Sequence, residues 1–468
     1  MSLLTWTGHE LVDAGIAALT VFAEKQRPED VDEADLEAFV EKCERAYFTP
    51  AMTSYLSVLF TSNFLNPSLN EEGKRLRVRE ILTSYKRKPA SDAPPCVYCG
   101  RPSTVVAYRD LIPMLSGRGV ANFFPGGGRG LDVCGLCLLS IQALSLGAPM
   151  ISGRSLVIST RNHDFLLQFT RTWMARTLER VYLSEVSGKK PELISSPRTR
   201  TVETLLNLEE ERHLENITDL TVYWLSNSGQ GPSLTIWHLP ASAIRFVLLA
   251  QQEAYRAIWR RLVNESWEQV DKKSDENQRE FRRNYLLEDL FDLPERASYF
   301  LQRYLLRRSL RRWKTGKVQG GSTWRDRGAI SWPLTELFLE EVLGMKKERV
   351  QAIKELAEIL ADHIGTNNDR PLFNKIYMAG KFLDLRRFLI RVSLHAVKHG
   401  QEPLRLDKFL TVFEESEEVP RVDWRMARDM MLIRMIEVLH DKYKFFEQVK
   451  EEEVPELEEI EEEREEEG

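Results

Sequence analysis

Cysteine is scarce in this chain. Five residues in 468 cannot build the disulfide framework of a small secreted domain, so a reducing, cytoplasmic setting is the expectation. The opening stretch MSLLTWTGHELVDAG lacks the basic start and unbroken apolar core of a secretory signal. Long apolar runs are also missing. Residues 133–153 carry no charge, but Cys134, Cys137, Gln142 and Pro149 interrupt them, and a buried helix leaving a cysteine cluster is expected in place of a membrane span. Catalytic signatures are absent too. The run Gly126, Gly127, Gly128, Arg129, Gly130 has neither the Gly-Lys-Ser/Thr ending nor the preceding strand of a phosphate loop, and no GxSxG, HExxH or kinase set occurs. His163-Asp164 and His440-Asp441 are isolated dipeptides without further placeable metal ligands. The expectation is a protein that is not an enzyme.

Charge is split along the chain. The formal net charge is −6, yet residues 451–468 hold twelve Glu against one Arg. The rest of the chain is therefore mildly basic. An acidic run of this kind reads as a disordered, solubilising tail, though such a segment can also compete with nucleic acid for a basic groove.

Length and periodicity point to an α+β, mainly α fold. Residues 1 to about 90 are helical in pattern, with Asp32 to Leu36 as a helix entrance. Residues 155–160 (SLVIST) read as a strand and 187–202 as a polar, basic loop. Two runs rich in β-branched and aromatic residues, 220–225 (LTVYWL) and 234–239 (LTIWHL), form a β-hairpin around Gly229 and Gly231. Later, Val350, Ile353, Leu356, Leu360 and Ile364 recur at near-heptad spacing, followed by further helical stripes through Leu389 and Met430; these describe a C-terminal helical bundle whose apolar positions are core. With Gly320-Gly321 taken as the boundary, the expected domains are 1–320, mixed, with a zinc-knuckle insertion at 96–137 and a hairpin at 220–240; 321–450, helical; and 451–468, the acidic tail.

Four of the cysteines form one pattern. Cys96-x-x-Cys99 and Cys134-x-x-Cys137 are two knuckles, each of which places two thiolates about one tetrahedral edge apart. Together they are expected to make a structural Zn²⁺ site with no open position for catalysis, with two redox or merely buried pairs as the competing reading. Cys43 stands outside this pattern and reads as a small buried residue.

Cations cluster in residues 303–317, which hold seven Lys or Arg and no acid. On a helix, Arg303, Arg307, Arg308, Arg311 and Arg312 would form one stripe, with Lys314 and Lys317 beyond it, suited to a nucleic-acid backbone. An acidic protein partner or a plain solvated face is the competing reading. Arg386, Arg387, Arg391, Arg421, Arg425 and Arg428 offer a second, weaker set on the bundle.

Three segments carry a family resemblance. Residues 6–16 (WTGHELVDAGI), the paired Cys96/Cys99 and Cys134/Cys137, and the hairpin VYWLSNSGQ followed by IWHLP together resemble the large subunits, named for their two CXXC motifs, of type I-B CRISPR Cascade. The resemblance implies a noncatalytic subunit of an RNA-guided DNA surveillance complex serving antiviral interference. Such a subunit sits with other Cascade subunits at the 5′ end of the CRISPR guide RNA, reads the PAM in double-stranded target DNA, starts strand separation and R-loop formation, and recruits the helicase-nuclease; base pairing reads the rest of the sequence. PAM reading through the minor groove needs polar side chains and apolar wedges, which places it on Asn122, Phe123 and Phe124 with Arg129, or on Asn227, Ser228, Gly229 and Gln230. The resemblance also implies a separate small subunit translated from within the gene, for which Met345 is the candidate start; several copies would line the displaced or target strand. A zinc-stabilised DNA-binding transcription or repair scaffold is the alternative, and a metal-dependent nuclease ranks third.

Overall fold

The computed structural model describes residues 2–61, 66, 68–121, 128–207, 218–227, 231–268, 280–308, 323–398, 403–416 and 419–447. It is an α+β structure, mainly α, with small antiparallel sheets. The chain divides into two compact units: residues 1–241 with 277–282, and residues 242–276 with 283–468. The division falls well before Gly320-Gly321, which lies outside the described residues, so the described residues 242–268 and 283–308 belong to the same unit as the bundle.

The first unit opens with α1 (Glu10–Phe22), α2 (Glu33–Ala46), α3 (Pro50–Phe60) and α4 (Glu71–Leu82). Short strands β1 (Val105–Ala107) and β2 (Leu131–Val133) precede α5 (Gly135–Gly147). Then come β3 (Met150–Ile151), β4 (Arg154–Ser159), α6 (His163–Ser187), α7 (Pro197–Leu206), β5 (Leu220–Ser226) and β6 (Ser233–Leu239). The expected entrance to α2 is a capping box: Asp32 accepts from the Asp35 amide while Asp35 accepts from that of Asp32. Helix α6 is capped by Asn162 and ends where Gly188 turns left-handed at φ +67°.

The uncharged stretch becomes α5, buried on nearly every side. It lies so close to α1 that a Cβ on Gly15 would fall 1.7 Å from the Ser140 carbonyl oxygen. Only hydrogen at that position permits the approach. Against these helices stands a four-stranded antiparallel sheet in the order β3-β4-β5-β6. The expected hairpin is present, with Leu220 opposite Leu239 and Tyr223 opposite Ile236. The segment read as a loop at 187–202 instead enters α7 at Pro197. A proline at the first helical position favours that entry, and the Thr201 and Thr204 hydroxyls bond carbonyls four residues back. Arg200 is buried there, held by Glu203 at 2.6 Å and the Arg282 carbonyl at 2.7 Å.

The second unit contains α8 (Ala241–Ala250), α9 (Glu253–Glu265), α10 (Tyr285–Asp289), α11 (Ala297–Phe300), α12 (Trp332–Glu341), α13 (Lys347–Asn367), α14 (Arg370–Tyr377), α15 (Phe382–Lys398) and α16 (Leu406–Phe413), a short pair β7 (Glu414–Ser416) and β8 (Val419–Pro420), and α17 (Trp424–Asp441). The near-heptad residues of α13 and the stripe Met430, Ile433, Ile436, Leu439 of α17 are all buried. Each such aliphatic side chain removed from water contributes roughly 1.5–3 kcal/mol. Among the described residues no helix is long and apolar enough to cross a membrane.

Candidate metal centre

The four cysteines come together through two local turns. In the first, the Cys96 amide bonds the Arg101 carbonyl (2.7 Å) and the Gly100 amide returns to the Cys96 carbonyl (2.9 Å), with Gly100 left-handed at φ +73°. In the second, Cys134 caps α5, its Sγ accepting from the Cys137 amide at 3.5 Å. Gly135 follows because a Cβ there would lie 2.4 Å from the backbone of Ser84 and Tyr85. The β1–β2 ladder pairs Val105 with Val133, and the Val97 amide bonds the Asp132 carbonyl at 3.0 Å, which joins the knuckles.

All four sulfur atoms lie within 4.8 Å of one another, and Cys99 and Cys134 are 3.5 Å apart. Those separations exceed a disulfide bond and bracket the roughly 3.8 Å edge of a thiolate tetrahedron around a metal ion at about 2.3 Å. The donor set and its spacing therefore fit a metal ion. Hydrogen bonds from Cys134 and Cys137 hold the Cys96 thiol low. Cys137 is raised by its bonds to Cys134 and Cys96 and by burial. Cys134, lowered by Cys137, is raised further by Cys96 and burial, to about 12. Metal must displace the protons that this packing retains. Affinity should rise with pH between about 6 and 8, by roughly tenfold per unit for each proton released, as chelator competition at several pH values would measure. Cys43 behaves as expected: it is fully buried, and burial pushes its thiol up, away from reactivity.

The segments that carry the resemblance meet around this centre. The His9 ring packs edge-on against Tyr98 between the first two cysteines, with ring centres 4.5 Å apart, and burial lowers the His9 pKa despite Glu10 and Asp13. Glu10 accepts from the Tyr223 hydroxyl of β5 at 2.9 Å. Trp6 stacks on His163 at 4.3 Å, so that His163 serves packing here. Farther along the excursion, Gln142 of α5 donates to the Leu111 carbonyl at 2.8 Å.

Arg109, which no motif singled out, ties the excursion to the hairpin. Its Nε donates to Asn227 Oδ1 (3.1 Å) and its Nη2 to the Asn227 carbonyl (3.2 Å), while Asn227 Nδ2 donates to the carbonyls of Arg109 (2.9 Å) and Leu59 (3.0 Å). Asn227 is thus fully buried with its amide saturated. It is a structural pin and not a groove-reading side chain. Arg129 is exposed. Asn122, Phe123, Phe124, Ser228, Gly229 and Gln230 lie outside the described residues.

The cationic stripe expected at 303–317 does not exist as a surface in its described part. Arg303 is buried against Asp289 (2.9 Å), Arg307 against Glu265 (2.6 Å) and Asp326 (3.0 Å), and Arg308 against Asp429 (3.5 Å) and the Tyr377 carbonyl (2.7 Å). The helical period fails because the chain leaves regular structure at Leu305, and Arg307 is left-handed at φ +57°. Arg311, Arg312, Lys314 and Lys317 lie outside the described residues. Of the second set, Arg428 is buried on Asp429 (2.7 Å). Arg386 is half-buried near Glu414 (3.7 Å), Arg425 stacks on Trp424 (4.8 Å), and Arg421 is half-buried beside Arg349 and Asp423. Arg387 and Arg391 of α15 alone among these six are exposed. Buried guanidiniums with carboxylate partners cannot also neutralise phosphates. Stripping one partner from such a pair costs about 3–5 kcal/mol.

Comparison with protein families, curated proteins and solved structures returns no match.

Proposed function

We propose that this chain is the noncatalytic large subunit of an RNA-guided DNA surveillance complex of the type I-B Cascade kind, with zinc as the ion in its four-cysteine centre. One observation carries the reading. The three segments that resemble that family, far apart in sequence, are joined in the fold through His9–Tyr98, Glu10–Tyr223 and Arg109–Asn227. The metal centre closes the excursion at its base, and the Arg109–Asn227 joint ties that excursion, which carries the first candidate reading loop, to the described root of the second. A duplex reader needs such loops held on a fixed base, because orientation must be set before a base step can be opened. Four thiolates leave no ligand position for chemistry on zinc, in keeping with a noncatalytic role.

With Asn227 committed to the joint, PAM reading falls to Asn122, Phe123, Phe124 and Arg129 on one loop, or to Ser228, Gly229 and Gln230 on the other. The remaining partners of the proposed complex are guide RNA, target duplex and displaced strand, the other Cascade subunits and the helicase-nuclease, in the cytoplasm. A small subunit starting at Met345 would retain α13–α17 and keep Arg428 on the buried Asp429, but would lose Arg308 and the Gln302 donor to that carboxylate's second oxygen.

Asn122→Ala and Arg129→Ala should each weaken binding to guide-matched duplex with its selected flank by roughly 5- to 100-fold, the worth of one groove contact. Binding to the same target already opened should change little. The flank is found by selection from a randomised library. Equal losses on both substrates would make these residues scaffold.

A further inference from the structure

Helix α15 carries two apolar stripes on opposite faces. Phe382, Leu385, Leu389, Val392 and Ala396 are buried in the second unit. Leu383, Ile390, Leu394 and Val397 are 60%, 49%, 58% and 59% exposed, and their steps of seven, four and three place them in one line along the helix. A single exposed leucine means little, but an aligned stripe of four marks a docking face. The rim of that face is cationic. Arg387, Arg391 and Lys398 are exposed, and the helix holds four Lys or Arg against Asp384 alone. Beside it lies a groove of about 470 Å³ whose walls include His363, Lys375, Arg391 and His395, with the two imidazole rings 5.0 Å apart, edge to face.

A second α15 would set like charge against like. A nucleic-acid backbone would use the cations and leave the stripe wet. The matching chemistry is an acidic segment with spaced apolar residues, and the chain carries one. Among the glutamates of 451–468, Val454, Leu457 and Ile460 recur at intervals of three. The approach to that segment also starts in the right place. Lys442 Nζ and Tyr443 Oη both bond Asp362 of α13, at 2.8 and 2.9 Å, next in sequence to the groove residue His363. Phe446 packs on Phe373 of α14 with ring centres 5.7 Å apart. From Glu447, seven residues reach Val454 and can span up to about 23 Å.

We propose that residues 451–463 dock on the exposed face of α15, with Leu457 and Ile460 on the Ile390–Leu394 stripe and the glutamates on Arg387, Arg391 and Lys398. The acidic segment is then an intramolecular cover for the bundle's exposed cations.

The test uses the full chain with the photo-crosslinking residue p-benzoylphenylalanine at Leu457, or separately at Ile460, irradiated when dilute and mapped by peptide mass spectrometry. Crosslinks should fall within one chain, on residues 383–398. They should drop at least about fivefold in high salt, which screens the rim charges. The double variant Ile390→Ser, Leu394→Ser should lose them while keeping its thermal midpoint, because both positions face solvent. Crosslinks elsewhere, crosslinks only between two chains, or a pattern unmoved by salt and by the double variant would overturn the proposal. So would an α15 face protected from surface labelling only after duplex DNA is added. The crosslinking itself needs no nucleic acid, so its outcome is separate from that of the PAM-binding measurement.

Discussion

Cys96→Ser should unfold the excursion between the knuckles and lower the thermal midpoint of the first unit sharply, with the bound ion lost. Structural zinc contributes about 10–16 kcal/mol of apparent binding free energy in isolated fingers at neutral pH, and most of it is folding free energy. In this chain such an ion would not be the whole core, since α1 and α5 meet directly at Gly15 and Ser140 and the four-stranded sheet has its own ladder, and so the unit should loosen without collapsing entirely. The region that suffers is specific. Val97, Thr104 and β1 hang on β2 by backbone bonds, and Tyr98 loses its seat against His9. Chelation should reproduce the variant. Hydrogen exchange would read both as lost protection in 95–110 and 131–138, with α13 and α17 unchanged. Retained protection in a metal-free chain would show that packing alone holds the knuckles.

Asn227→Ala should destabilise the first unit by roughly 3–4 kcal/mol. The substitution strands the carbonyls of Leu59 and Arg109 and frees the Arg109 guanidinium from Oδ1, and each buried group left unpaired costs about 1–3 kcal/mol. Asn227→Asp is the sharper version. It keeps the acceptor for Arg109 and removes the donor to both carbonyls, placing a carboxylate oxygen against them. Denaturant melts of the two variants measure the effect. A role in base reading would leave stability unchanged and reduce only DNA binding.

The contrast between Cys96 and Asn227 shows what was legible in the sequence. The cysteine pairs announce themselves because metal ligation needs one residue type at a fixed spacing, and both knuckles formed where that spacing lies. The hairpin, the α2 capping box and the α13 stripe are likewise local or periodic signals, and each appears in the fold. Asn227 looked like a loop-tip reader because Asn-Ser-Gly-Gln follows a strand. Its burial depends on Arg109 and Leu59, more than a hundred residues away in sequence. The same blindness misread Arg303, Arg307 and Arg308: a run of cations is visible in one dimension, whereas Asp289, Glu265, Asp326 and Asp429 come from four separate places. Arg109 itself gave no sign, since a lone arginine in an irregular stretch has no pattern to belong to. The division at Ala241 was hidden for a related reason. The glycine pair at 320–321 is a conspicuous break, but which helices share a core is decided by Phe246, Phe300 and Phe338, whose rings meet within 5.2 to 6.3 Å.

The most direct measurement is nucleic-acid content. The full chain, tagged and expressed with its neighbouring genes, should purify at moderate salt inside a larger particle that carries RNA of uniform length, one copy per particle, with zinc bound to the chain. A chain that purifies alone and free of RNA, yet binds one duplex sequence directly without any guide, would contradict the account and establish a zinc-stabilised duplex-binding scaffold instead.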